Sequence, residues 1–251
     1  MSFWRRRSFD LPDDWEDQVA AHVVRWWDFT LDERTRMRDL MLRLLSEKHW
    51  EASNGFELTV EMQLVIAAQA SLLILELGFD AYRQVGAIIV HPTTIVLRGE
   101  RGSFTQGYAT DEPMPILGQA AHDRGPVVLV WDETTRNARH PERGFNVVFH
   151  EFAHKLDMLD GVVDGTPPLA SQADHQRWVD VCTTEYEALR MGEGSVLLRD
   201  YAGVNPGEFF AVVTEVFFER GRDLRDDRPA LYDVLAAYYR QDPAARQAEP
   251  G

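Results

Sequence analysis

The sequence predicts an α+β fold, mainly helical, and two observations carry that expectation. Apolar residues recur at helical spacing through the first eighty positions and again from about 144 to 242, whereas β-branched residues crowd two short stretches between them. Helices, then a small group of strands, then helices is the order of an α+β chain and not of an alternating parallel α/β fold.

The elements follow in order. "DDWEDQVAAHVVRWW" (13–27) and "LDERTRMRDLMLRLLSEKHW" (31–50) read as amphipathic helices, and in the second Leu31, Met37, Leu40, Met41, Leu44 and Leu45 form one stripe. "MQLVIAAQASLLILELGF" (62–79) is the longest apolar run, but Gln63, Gln69, Ser71 and Glu76 make it too polar for a membrane span; it reads as a buried helix over 60–78 ending at Gly78. "GAIIVHPTTIVLRG" (86–99) reads as two short strands broken at Pro92, and "GPVVLVWDE" (125–133) as a further strand. Helices are expected at about 144–159, 172–190, 205–221 and 229–242. With neither repeats nor a linker, the reading is one domain over 1–251, with flexible tails near 1–12 and 243–251.

The composition excludes several functions. A net charge of −15, from 26 basic and 41 acidic residues, repels nucleic acid and anionic membranes, so no direct contact with either is expected. The one basic cluster, Arg5-Arg6-Arg7, reads as a solvated tail. A lone cysteine, Cys182, excludes an internal disulfide framework and sits at helical spacing as a small core residue. With no apolar run behind the N-terminal charges, the expected location is the cytoplasm.

"NVVFHEFAHKLD" (146–157) carries the chemistry. His150 and His154 are four apart, one helical turn on the same face, so two imidazoles can bind one zinc from a rigid element. Glu151 swings to the side of that face, where it can act as general base on a water whose pKa the metal lowers. With 8 histidines in the chain, H-E-x-x-H arises by chance in roughly two such chains per hundred, and here it also follows a strand and falls on a helix. Satisfied core histidines are the bland alternative. A di-iron bundle would need a second E-x-x-H, and no other histidine has a glutamate three positions before it.

A third ligand is required, and the downstream helix offers Glu208, Glu215 and Glu219; the first two lie seven apart on a face otherwise apolar, where an unpaired carboxylate is costly. Spacing leaves the choice open. Tyr201 in isolation reads as a loop anchor, and Asp157 as an orienting group, a tie to the next loop, or an exposed acid. Asp160 and Asp164 lie in D-G turns and lack EF-hand spacing.

"HEFAHKLDMLDG" followed by "YAGVNPGEFFAVVTEVFFE", with "AAQASLLILELG" and "GPVVLVW" upstream, resembles the Mlc titration factor A family of bacterial zinc-dependent peptidases over most of the chain. A similar tyrosine-to-glutamate arrangement occurs in the catalytic domain of anthrax lethal factor. The resemblance implies a zincin-like fold with a small mixed sheet and an active-site helix. It implies one zinc per chain held by His150, His154 and Glu208, with Glu151 and Tyr201 as catalytic residues; Glu215 is then left either to hold a ligating histidine's free N–H or to be simply buried and paired. It implies peptide hydrolysis of aminopeptidase type, with "PVVLVW" (126–131) as the edge strand along which substrate lies. It also implies a different role, in which the protein sequesters an Mlc-like transcriptional repressor of sugar-uptake genes and the zinc site is vestigial or structural.

Overall fold

A computed structural model describes residues 9–53, 55–93 and 125–247. The Arg5–Arg7 cluster and the second strand expected within 86–99 lie outside these residues.

Helix α1 (Trp15–Ala20) is short, and the helix expected to run to 27 gives way to a turn and a 3-10 turn at Trp26–Asp28 that buries Trp26. Helix α2 (Leu31–Glu47) starts with a capping box: Thr30 accepts from the Glu33 N–H while Glu33 reaches back to Thr30. It buries Met37, Met41, Leu44 and Leu45. The helix expected to reach 50 stops at Glu47, because Lys48 is extended and His49–Ala52 form strand β1. That strand is absent from the sequence reading; four residues of alternating polarity directly behind a leucine-rich stripe continue the helical pattern too well to reveal it.

Helix α3 (Val60–Leu73), capped by Thr59, buries every side chain from Leu64 to Leu73. It is a core helix and therefore has no polar face. It ends before Gly78, whose φ of +81° turns the chain towards strand β2 (Ala87–His91). Strand β3 (Val127–Val130) follows, and the expected continuation of that strand to 133 is instead the start of α4 (Trp131–Arg139). The order is β1-β2-β3, with His49 opposite Ala87 and Ile88 opposite Val127. Both pairings are parallel, so among the described residues the sheet is parallel and not mixed. β3 is an edge strand of that sheet among the same residues.

Helix α5 (Val147–Asp157) packs most extensively on α7 (Pro206–Glu219), and also against α3 and β3. Helix α6 (Gln172–Arg190) lies between them in sequence and carries Cys182, which packs against the core. In α7 every residue from Gly207 to Glu219 is buried, three glutamates among them. After α8 (Gly221–Asp227), helix α9 (Pro229–Tyr239) stacks Tyr232 and Tyr239 on Phe217. Residues 243–246, placed in a loose tail by the sequence reading, form α10, whose Arg246 pairs with Glu33 at 2.8 Å and whose Ala244 is buried. At the other end Phe9 and Leu11 pack on the core, so the expected tail does not extend over them.

Candidate metal centre

The site is built where α5 crosses α7. Asn146 caps α5: its side-chain oxygen accepts from the N–H groups of Val148 and Phe149 at 3.1 Å each, so the helix starts one turn before His150. Val148, Phe152, Ala153 and Leu156 bury one side in the core, and this rigid seat aims His150 and His154 at α7. Pro206 opens α7 and Asn205 caps it by accepting from the Glu208 N–H at 2.9 Å. Glu208 is thereby held in the first helical turn.

The two imidazole Nε2 atoms lie 3.2 Å apart. Glu208 Oε2 lies 3.0 Å from Nε2 of His150 and 3.5 Å from Nε2 of His154. All three residues are buried. Ligand atoms around a tetrahedral zinc, at about 2.0–2.1 Å from it, are spaced by about 3.3 Å, and these three distances fall around that value. The Glu208 Oε2 atom is buried yet not aligned to accept a hydrogen bond from either ring. A carboxylate oxygen and two imidazole nitrogens converging on one point suit a shared cation. The three residues could hold a metal ion.

Electrostatics point the same way. Burial opposes protonation of His150, but the Glu208 and Glu215 carboxylates outweigh it and lift its pKa to about 10. Burial raises Glu208 too, and the two imidazoles reverse that and hold it well below the usual carboxylate range. The two carboxylates thus favour positive charge at His150, whether from a proton or a metal.

Glu215 meets His150 from the other side, Oε1 to Nδ1 at 2.7 Å. That fixes which ring nitrogen faces Glu208. Glu215 is itself almost fully buried and held by Arg199, at 2.6 Å from Nη2 to Oε1 and 3.1 Å from Nη1 to Oε2, and by the Asn146 backbone N–H at 2.7 Å. The two glutamates that spacing leaves open differ in geometry: Glu208 converges with the histidines' Nε2 atoms, Glu215 with the rear of His150. Arg199 was missed in the sequence; the signal was a buried acid on an apolar helix face, which demanded a cation that nothing in α7 supplies.

Glu151 is partly buried, and burial raises its pKa against the pull of His150 and His154. Tyr201, in the 3-10 turn Asp200–Gly203, places its ring centroid 6.0 Å from that of His150. Burial and the neighbouring Glu208 and Glu151 carboxylates push its phenol upward, so it stays a hydrogen-bond donor. All five sequence-predicted residues are gathered here. Asp157 is not exposed: it is fully buried, accepts from the Gly165 N–H at 3.0 Å, and ties the next loop to α5. Asp160 and Asp164 accept from the N–H groups two residues on, of Val162 and Thr166, as turn residues do. Lys155, also missed, donates from Nζ to the Gly125 carbonyl at 3.0 Å and pins the approach to β3 onto α5.

Comparison with known proteins adds the following. The family model for the glucose-regulated metallo-peptidase M90 matches residues 1–240. A protein of Synechocystis sp. is 34% identical over 247 residues, covering 96% of this chain and 89% of its own. Mlc titration factor A of Serratia proteamaculans is 32% identical over 241 residues (92% and 88%), and that of Salmonella typhi 30% over 248 residues (97% and 92%).

Proposed function

The chain belongs to the glucose-regulated metallo-peptidase M90 family, and from that premise we propose that it is a zinc-dependent peptidase of aminopeptidase type acting in the cytoplasm. The observation that carries this reading is the convergence of His150, His154 and Glu208 ligand atoms within 4.8 Å of one another in a buried site. Two imidazoles and one carboxylate are a donor set that suits zinc and leaves a coordination position for reaction.

His150, His154 and Glu208 would hold one zinc per chain, which when bound would supply Lewis-acid polarisation of a peptide carbonyl and acidification of water. Glu151 accepts the proton of the attacking water as its oxygen joins the carbonyl carbon, then delivers that proton to the amine nitrogen as the C–N bond breaks. Its raised pKa suits both halves of the task. Tyr201 donates a hydrogen bond to the carbonyl oxygen as negative charge develops there. Substrate lies extended beside β3, an edge strand among the described residues, and pairs with its backbone. Lys155 holds that edge at a constant distance from α5.

Zinc-loaded protein is expected to cleave short peptides, and Glu151→Gln to keep its metal while losing cleavage. Unchanged turnover in that variant, or metal that cannot be loaded, sinks the reading.

A second role is supported by the relatives' name. Proteins called Mlc titration factor A, at about 30% identity over most of this chain, favour binding of an Mlc-like transcriptional repressor. The net charge of −15 suits contact with such a partner better than contact with DNA. Co-purification of a repressor with both parent and Glu151→Gln protein supports this role; no repressor retained by either excludes it.

A further inference from the structure

Arg199 approaches the site from behind His150, with Nη2 3.4 Å from that ring's Nδ1. It stands immediately before the 3-10 turn that carries Tyr201. Its guanidinium makes the two-pronged contact to Glu215, at 2.6 and 3.1 Å, and Glu215 faces His150 at 2.7 Å. The same guanidinium lies 4.9 Å from the centre of the Phe145 ring, just before the cap of α5, and 5.8 Å from the centre of the Tyr201 ring. The other Glu215 oxygen takes the backbone N–H of Asn146. One side chain therefore spans the start of α5, the back of the His150 ring and the segment presenting Tyr201. A buried carboxylate needs a cation that matches both oxygens, and a planar guanidinium does this while stacking on aromatic rings; an ammonium does not.

We propose that Arg199 is a positioning residue that couples the metal-ligand shell to Tyr201, clamping Glu215 behind His150 and, through the same guanidinium, fixing the segment from which Tyr201 reaches the substrate. The proposal rests on the peptidase reading for the role of Tyr201, but the clamp itself does not. A residue that merely filled space here would, when changed, lower stability without linking metal affinity to the action of a tyrosine two positions away.

The test uses zinc-loaded parent protein, Arg199→Lys and Arg199→Gln, each alone and combined with Tyr201→Phe. Metal affinity is read by chelator competition, ligand geometry by the absorption of the cobalt-substituted protein, and the placement of Tyr201 by the ¹⁹F line of 3-fluorotyrosine at that position. Arg199→Gln is expected to weaken metal binding about 10-fold or more. Arg199→Lys keeps the charge and serves if the glutamine variant fails to fold. It is expected to shift the cobalt bands and the ¹⁹F line, and to lower kcat with KM little changed.

Tyr201→Phe is expected to cost about 100-fold in kcat in the parent and less than about 10-fold in the Arg199→Lys background, because the two changes act on one unit. Parental metal affinity, cobalt spectrum and ¹⁹F line in Arg199→Lys overturn the proposal, as does an equal Tyr201→Phe effect in both backgrounds. If zinc-loaded parent cleaves no peptide, the peptidase reading fails, and the affinity, cobalt and ¹⁹F measurements still decide whether the clamp exists.

Discussion

Glu215 Oε1 lies 2.7 Å from Nδ1 of His150, seven residues along α7 from the carboxylate that meets the same ring's Nε2 at 3.0 Å. One imidazole is thus gripped from behind and presented in front by the same helix. The grip fixes the tautomer and the ring plane. Removing it by Glu215→Gln, which also takes away the carboxylate charge that faces Arg199, is expected to weaken zinc binding about 10–100-fold. Competition against a chelator of known affinity measures this, and unchanged affinity would mean that the contact does not serve the metal site.

Glu208→Gln and His150→Ala address the ligands themselves. Each leaves two of three donors, and metal stoichiometry after dialysis is expected to fall from about one per chain to near none. A neighbouring acid could substitute only if it reached the same point, and Glu215 cannot while Arg199 and Asn146 hold it. Full zinc retention in both variants excludes this triad as the metal site.

Tyr201→Phe removes one hydroxyl and keeps the ring. The loss falls on the developing oxyanion, so kcat is expected to drop about 100-fold with KM nearly unchanged. A rise in KM alone assigns Tyr201 to substrate binding instead.

Where the sequence was readable, the reason is periodic burial; where it was not, the cause lies in contacts between distant segments. The helices of 172–190, 205–221 and 229–242 are found within a few residues of expectation, as α6, α7 and α9. H-E-x-x-H needs only one helical turn to bring its histidines together, so it was legible at once. Glu208 against Glu215 was not, because both lie on the same face and only the position of His150 across the interface distinguishes them. Arg199 joins the site through tertiary pairing alone and has no local signature. Strand β1 was hidden by the stripe before it, and α10 by a polar composition that its packing on α8 and α2 overrides.

Gly165 is a backbone requirement of the site. Its φ of +77° already favours glycine, and a Cβ there would sit 2.3 Å from the Pro206 carbonyl oxygen. Gly165 also donates its N–H to Asp157 and so joins the end of α5 to the start of α7. Gly165→Ala is expected to cost about 2–4 kcal/mol in stability by urea unfolding. It should also weaken metal binding, because Pro206 must shift and Glu208 lies two residues beyond it. A variant as stable as the parent, with parental affinity, refutes this coupling.

Glu219 gives a pH dependence whose sign can be worked out. It is buried at the end of α7 and accepts from Asn146 Nδ2 at 2.6 Å; burial, the dominant influence, lifts its pKa from 4.5 to about 7. The folded state binds this proton more tightly than the unfolded chain does. Its contribution is therefore fully present below about pH 4.5 and is lost as pH rises through 7. The loss is on the order of 2–3 kcal/mol. Glu219→Gln keeps an acceptor for Asn146 and cannot ionise. Relative to the parent it is expected to gain that amount between pH 5 and pH 8, measured by urea unfolding at both. Asp157, raised by burial to about 7, titrates in the same window in both proteins and cancels in the difference. Parallel stability profiles for the two proteins would place the Glu219 proton elsewhere and remove the ionisation cost from the N-cap of the metal helix.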